Sequence, residues 1–279
     1  MPAPPANGLW RSSPDDGRRN GYRRAVTTTS ALTGFLGTRS KARALDLTGH
    51  SSPSGPPGVR LAMSELTAPA QAYRLAVARR RLRSAPPAPV QGSLVIDVPG
   101  WGAPESLTGP LRGYLRSLGH DARGWGFGRN RGDVRGDVRR LEKHVVAQAA
   151  EHGPVSLVGW SLGGVIVREV ARRRPDTVSQ VVTFGSPIVG GTTHTVGARM
   201  TGHPASTQLE AYVERRDREH PLTVPVTVIL SRRDGVVSWL SCLDHQSPMA
   251  EHVEVRSTHL GMVLDPDVWL TIAERLARG

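Results

Sequence analysis

Residues 155–164 read Val155-Ser-Leu-Val-Gly-Trp-Ser-Leu-Gly-Gly164. A short apolar run of β-forming type, Val155 to Val158, meets Gly159-Trp160-Ser161-Leu162-Gly163. A helical pattern follows to Arg173. Strand, tight glycine turn and helix in that order hold a serine in a strained backbone conformation, with its hydroxyl pushed out of the chain. Gly159 and Gly163 carry no Cβ, so neighbouring backbone can close on the turn. The Ser161 hydroxyl then stands at a helix N-terminus, where unpaired N–H groups favour developing negative charge. With 31 glycines in 279 residues, the five-residue pattern arises readily by chance. Its weight rests on the flanking strand and helix and on partners elsewhere in the chain.

Working outward, strands and helices alternate from residue 93 onward. Strands are expected at Leu94–Val98, Asp121–Phe127, Val155–Val158, Val181–Phe184, Val226–Leu230 and Val253–Val255. Helices are expected at Glu105–Leu118, interrupted by Pro110, and at Val134–Ala150, Leu162–Arg173 and Asp267–Ala277. This alternation predicts an α/β fold, a mostly parallel sheet with helices on both faces. In such sheets the site forms at the carboxyl ends of the strands, and that rule selects the polar residues to weigh.

A serine at its ordinary pKa is a poor nucleophile. It needs a base within hydrogen-bond reach and a third group to orient that base. A serine on this kind of turn is followed along the chain by an Asp or Glu and then by a His. Asp234, in Ser231-Arg-Arg-Asp-Gly-Val-Val237, falls just past the strand Thr227–Leu230. His259, in Arg256-Ser-Thr-His-Leu-Gly-Met262, falls just past Val253–Val255 and before the closing helix. Asp244 and Asp265 are rivals to Asp234. Among ten histidines, His194, His203 and His220 fall in an expected insertion, and His245 and His252 come too early. Donors for an oxyanion are expected from the backbone N–H of Leu162 and from Trp101, in the loop Pro99-Gly-Trp-Gly102 after the first core strand. No histidine pairs with cysteine or carboxylate at zinc-ligand spacing, so no metal is expected. The single cysteine, Cys242, excludes an internal disulfide and reads as a small apolar filler.

The net charge of +12 is unevenly spread. Residues 1–92 hold 14 of the 36 basic residues and 4 of the 24 acidic ones, so the remainder is nearly neutral. Residues 1–59, rich in Pro, Gly, Ser, Thr and Arg, are expected to be a disordered basic extension. Its contacts with anionic surfaces would be weak, and no aromatic-plus-basic stripe suggests specific nucleic-acid binding. Tyr22-Arg-Arg-Ala-Val26 resembles a twin-arginine export motif. Its following stretch is only weakly apolar, so a cytoplasmic location is expected, with export as the alternative. Residues 60–92 are read as a helix, to residue 83, and a Pro-rich linker. The helix is expected to dock its apolar face on the catalytic domain or, alternatively, to lie on a membrane surface. Residues 93–279 form the catalytic domain, with 188–224 as a small cap. No run approaches the length of a membrane span.

Residues 93–279 resemble the α/β-hydrolase superfamily, of the bacterial lipase and esterase type. The resemblance rests on Val98-Pro-Gly-Trp101, Gly159-Trp-Ser-Leu-Gly163, Ser231-Arg-Arg-Asp-Gly-Val-Val237 and Ser257-Thr-His-Leu-Gly-Met262, and on Gly128-Arg-Asn-Arg-Gly132. It implies an α/β-hydrolase fold and cofactor-free cleavage of a small ester or lipid through an acyl-enzyme, with Ser161, Asp234 and His259 as the triad. The first loop departs from the pattern, with Pro99-Gly100 where many lipases carry His-Gly. The charged stretch 207–219 lacks the broad apolar face of a lipase lid and favours an esterase acting on dissolved substrate. An acyltransferase on the same triad and a non-catalytic binding protein of the same fold are the alternatives.

Overall fold

The structure, a computed structural model, describes residues 42–49, 57–68, 70–188 and 215–279. Its described strands are β1 (Arg43–Ala44), β2 (Leu94–Val98), β3 (Asp121–Gly124), β4 (Val155–Trp160), β5 (Val178–Phe184), β6 (Val226–Leu230) and β7 (Ala250–Glu254). They form one sheet in the order β1-β7-β6-β5-β4-β2-β3. Every neighbouring pair is parallel except β1 with β7. In β2, β4 and β6 every residue is buried. A parallel sheet covered on both faces favours nearly continuous apolar runs, here interrupted only by Asp97, Ser156 and Thr227 in these three strands.

The described helices are α1 (Val59–Ser64), α2 (Ala70–Val77), α3 (Arg79–Arg83), α4 (Gly109–Ser117), α5 (Val134–His152), α6 (Leu162–Arg173) and α7 (Pro266–Leu276). On one face α5 and α6 bring Leu141, Val145, Ile166 and Val170 against Leu157 and Val181. On the other, α4 and α7 bring Leu111, Leu115, Leu270 and Ile272 against Val95, Val158 and Phe184. Asp133 caps α5 by accepting from Gly136 N–H at 3.0 Å. Asp265 caps α7 by accepting from Asp267 N–H at 2.7 Å. Among the described residues, no helix is long and apolar enough to cross a membrane.

The α/β-hydrolase expectation describes this architecture, with local departures. Pro110 does not interrupt a helix. It sits in the first turn of α4, where its missing N–H has no intrahelical partner to lose, after the 3₁₀ turn Glu105–Thr108. Strand β3 ends at Gly124, short of Phe127, where its pairing with β2 stops. Within the stretch read as disordered, Arg43–Ala44 add an antiparallel edge strand to β7. The rest of that stretch, including the twin-arginine-like segment, lies outside the described residues, apart from 42, 45–49 and 57–59. So does most of the expected cap. Its described end, residues 215–219, is helical, and Asp217 pairs there with Arg168 at 3.1 Å and with Arg172.

The described residues of 59–83 are mostly helical, as expected, in the pieces α1, the 3₁₀ turn Glu65–Thr67, α2 and α3. Val59, Met63, Leu66, Tyr73 and Val77 face solvent. The contacts with the body are mostly polar. Arg74 reaches Asp265 at 2.7 Å and Asp267 at 3.1 Å, and Arg81 reaches Asp267 at 2.8 Å. Tyr114 Oη donates to the Leu82 carbonyl at 3.1 Å. Ala78 and Leu82 join the apolar core from this segment, and Leu75 packs against it. The predicted apolar docking is therefore made by part of the face, at Leu75 and Leu82, while Leu66, Tyr73 and Val77 point outward. The segment is a strap held by these apolar contacts and by ion pairs.

Candidate active site

Ser161 lies between β4 and α6 with φ 52° and ψ −123°, the only described non-glycine residue at positive φ. A side chain pays steric strain there. The turn is wedged by close approach. A Cβ on Gly163 would lie 2.2 Å from the Val98 carbonyl oxygen, and one on Gly159 would lie 2.6 Å from the Gly164 backbone. Ser161 N–H donates to the Phe184 carbonyl at 3.0 Å, and Gly164 N–H donates to the Ser161 carbonyl at 2.9 Å. The strained conformation is thus fixed from both sides.

Asp234 and His259 follow β6 and β7, and the structure brings both to Ser161. His259 Nε2 lies 3.0 Å from Ser161 Oγ. His259 Nδ1 lies 2.7 Å from Asp234 Oδ2. The other carboxylate oxygen, Oδ1, accepts from Val236 N–H at 2.8 Å and Val237 N–H at 2.7 Å, which fixes its orientation. Asp234 and His259 are each 3% exposed, so their interaction is little screened by water. Burial lowers the pKa of His259. The Asp234 charge and hydrogen bond, with the Glu65 charge added, outweigh that and hold it above its ordinary value. Such an arrangement can take a proton from the serine oxygen and stabilise the resulting imidazolium.

The loop Pro99–Gly102 lies against the turn. A Cβ on Gly100 would meet the Trp160 ring at 2.9 Å and Ser161 Cβ at 3.0 Å. Trp101, next in the chain, keeps its side chain 61% exposed. Buried Asn130 pins this loop. Its Nδ2 donates to the Pro99 carbonyl at 2.8 Å, its carbonyl accepts from Gly102 N–H at 2.8 Å, and its N–H donates to the Ala103 carbonyl at 3.1 Å. That gives the Gly128–Gly132 stretch a physical role. Leu162 is the first residue of α6, so its N–H has no partner within the helix.

The rivals are occupied elsewhere. Asp244 pairs with the buried Arg168 at 2.8 Å. Asp265 caps α7 and pairs with Arg74. Neither contacts His259. His252 is buried in β7, where its Nε2 accepts from Asp244 N–H at 2.9 Å, and burial holds its pKa down at about 4. His220 and His245 are exposed, and His194 and His203 lie outside the described residues. Cys242 is fully buried in the 3₁₀ turn Trp239–Cys242, and burial pushes its thiol well up. Among the described residues no group of three or more His, Cys, Asp or Glu is clustered to hold a metal.

Two neighbours of the site were not foreseen from sequence. A Cβ on Gly185, at φ 59° just past β5, would lie 3.0 Å from His259 Nδ1. A glycine directly after the core strand ending in Phe184 was the signal for it. The other is Glu65, whose two carboxylate oxygens accept from Gly235 N–H, His259 N–H and Leu260 N–H. Nothing in the local sequence marks it.

The chain is 33% identical over 100 residues to the pimeloyl-[acyl-carrier protein] methyl ester esterase of Aliivibrio salmonicida, covering 34% of this chain and 37% of that protein. It is 38% identical over 61 residues to the protein of the same name from Citrobacter koseri, covering 22% and 23%. The matches thus span little more than a third of the relatives' own length at most. No family model matches the chain. Among solved structures, the monoacylglycerol lipase of Paleococcus ferrophilus is similar with a TM-score of 0.50 and 18% identity, over 70% of this chain and 96% of that one. At that identity the likeness is one of fold. The chain has the α/β-hydrolase fold.

Proposed function

We propose that the protein hydrolyses carboxylic esters through an acyl-enzyme formed on Ser161. The observation that carries this reading is the continuous run of hydrogen bonds from Asp234 through His259 to Ser161 Oγ. Ser161 Oγ attacks the ester carbonyl while His259 Nε2 takes its proton. Asp234 holds the tautomer with the proton on Nδ1 and stabilises the imidazolium that forms. The N–H groups of Leu162 and Trp101 receive the oxyanion, each contributing on the order of 3 kcal/mol to the barrier reduction. His259 returns the proton to the departing alcohol, and water then releases the acid by the same route in reverse.

The partial relatives are named for an esterase acting on a methyl ester of a pimeloyl group carried on acyl-carrier protein. Esters of small alcohols, free or carrier-bound, are therefore the first substrates to try. The decisive experiment is labelling by a fluorophosphonate probe beside turnover of p-nitrophenyl and methyl esters of graded acyl length. We expect labelling and turnover in the native protein, and neither in a folded Ser161→Ala variant. Labelling that persists in that variant, or a native protein inert to the probe, overturns the reading. A rate that climbs steadily up to the substrate solubility limit marks a dissolved-substrate esterase. A jump at the limit marks an interfacial lipase.

A further inference from the structure

From the three bonds that one carboxylate makes to the turns bearing Asp234 and His259, we infer that Glu65 is a positioning residue for hydrolysis. It would act from a strap that lies outside the α/β core in sequence. The inference rests on the Ser161 mechanism above. Glu65 opens the 3₁₀ turn Glu65–Thr67 that follows α1. Its Oε1 accepts from Gly235 N–H at 2.8 Å, one residue past Asp234, and from the N–H of His259 itself at 2.8 Å. Its Oε2 accepts from Leu260 N–H at 2.9 Å. One side chain thereby joins the turn after β6 to the turn after β7, at separations of 170 and 194 residues.

The surrounding packing is built around this clamp. A Cβ on Gly235 would lie 2.1 Å from the Leu61 carbonyl oxygen, so α1 rests directly on the acid turn. A Cβ on Gly261 would lie 2.9 Å from Gln71 Cγ, so α2 rests on the histidine turn. Arg74 and Arg81 anchor the far end of the strap to Asp265 and Asp267.

The residue type matters. A carboxylate only accepts, so it can satisfy three converging N–H donors at once. A glutamine would turn its amide nitrogen towards at least one of them and leave that bond unmade. Glu65 is also, with Asp234, one of two acidic groups that raise the pKa of His259 against the effect of burial. Asp234 faces the imidazole from the turn after β6. Trp160, Gly185 and Met262, which also neighbour the ring, carry no charge. Removing the Glu65 charge therefore moves the protonation of His259 towards lower pH.

The test compares the full native chain with Glu65→Gln, with kcat, KM and the acid limb of kcat/KM measured on one ester. Melting temperature confirms that each variant is folded. In parallel, the imidazole of His259 is titrated by 15N NMR, its signal identified by its loss in His259→Ala. We expect kcat to fall about tenfold through misplacement of the base, KM to change little, and both the acid limb and the NMR titration to move to lower pH. Arg74→Ala loosens the strap away from the turns, so it should lower the melting temperature and leave the acid limb in place. An acid limb and titration unmoved in Glu65→Gln overturn the inference, whatever happens to kcat. Should Glu65→Gln not fold, Glu65→Asp serves instead. It keeps the charge but is one methylene too short to span both turns, so kcat falls with the acid limb unmoved, and native kcat there overturns the positioning role. The NMR titration needs no turnover, so it decides the role of Glu65 even if the protein proves inert towards esters.

Discussion

The turn that carries Ser161 and the two turns that carry Asp234 and His259 are held in place by different means. The serine turn is specified locally. Its strand, its helix and three glycines are consecutive in the chain, walled closely by the backbone at Val98 and Pro99 and by the side chains of Thr183 and Ser186. The acid and base turns leave neighbouring strands, bond to each other through the carboxylate–imidazole contact and through Ser257 N–H to Ser231 Oγ, and are bridged by Glu65 from far back in the chain. Local specification tolerates almost no change, because strain and close packing allow no slack. Assembly at a distance can be weakened in steps.

The largest effect should come from breaking the local side. Gly163→Ala drives a methyl to within 2.2 Å of the Val98 carbonyl, and backbone at that distance cannot give way cheaply. Loss of several kcal/mol and no soluble folded protein are expected, and expression with circular dichroism checks it. On the assembled side, Asp234→Asn keeps an oxygen for the Val236 and Val237 N–H groups, so the fold should persist. The imidazole then loses its anionic partner and its correct tautomer. A drop in kcat on the order of 10³–10⁴ is expected with the melting temperature nearly unchanged.

A smaller effect separates two buried histidines, one in the site and one within β7. His259 is pushed up and His252 down. His252 must stay neutral to accept from Asp244 N–H. Its folded pKa of about 4 lies below the ordinary 6.5, so its contribution to stability is complete above about 6.5 and is lost as the pH falls towards 4. Linkage sets that loss at up to about 3 kcal/mol. Urea unfolding across this range should show the native protein weakening more steeply than His252→Gln, whose side-chain oxygen can accept the same bond without taking a proton. The smallest effect is a gain. Ser161→Gly removes the steric cost of φ 52° and should raise stability by about 1 kcal/mol while abolishing turnover. A lower melting temperature there would mean the turn stores no strain.

This contrast also explains what was legible in the sequence. Ser161, Asp234 and His259 could be found because each follows a core strand, and a parallel sheet gathers its strand ends at one edge. The sheet itself was legible because strands buried on both faces read as nearly continuous apolar runs, as β2, β4 and β6 do with one polar residue each, Asp97, Ser156 and Thr227. Pro110 was misjudged because a proline in the first turn and one in mid-helix look alike until the helix start is known. The strap is legible as helix, and its docking only in part. Leu75 and Leu82 reach the core as read, but Leu66, Tyr73 and Val77 face solvent, and Arg74 and Arg81 hold the chain to partners nearly 200 residues away. Glu65 was invisible for the same reason. Its importance lies in three backbone donors that only the folded chain brings together.

Cys242 carries a practical consequence. It is the chain's one thiol, it is fully buried, and its thiolate is strongly disfavoured. Maleimide reagents should therefore pass over the native protein. A Leu66→Cys substitution, on a strap side chain that is 81% exposed, would then accept a single fluorophore, and its emission would report directly whether the strap lifts from the two turns it grips.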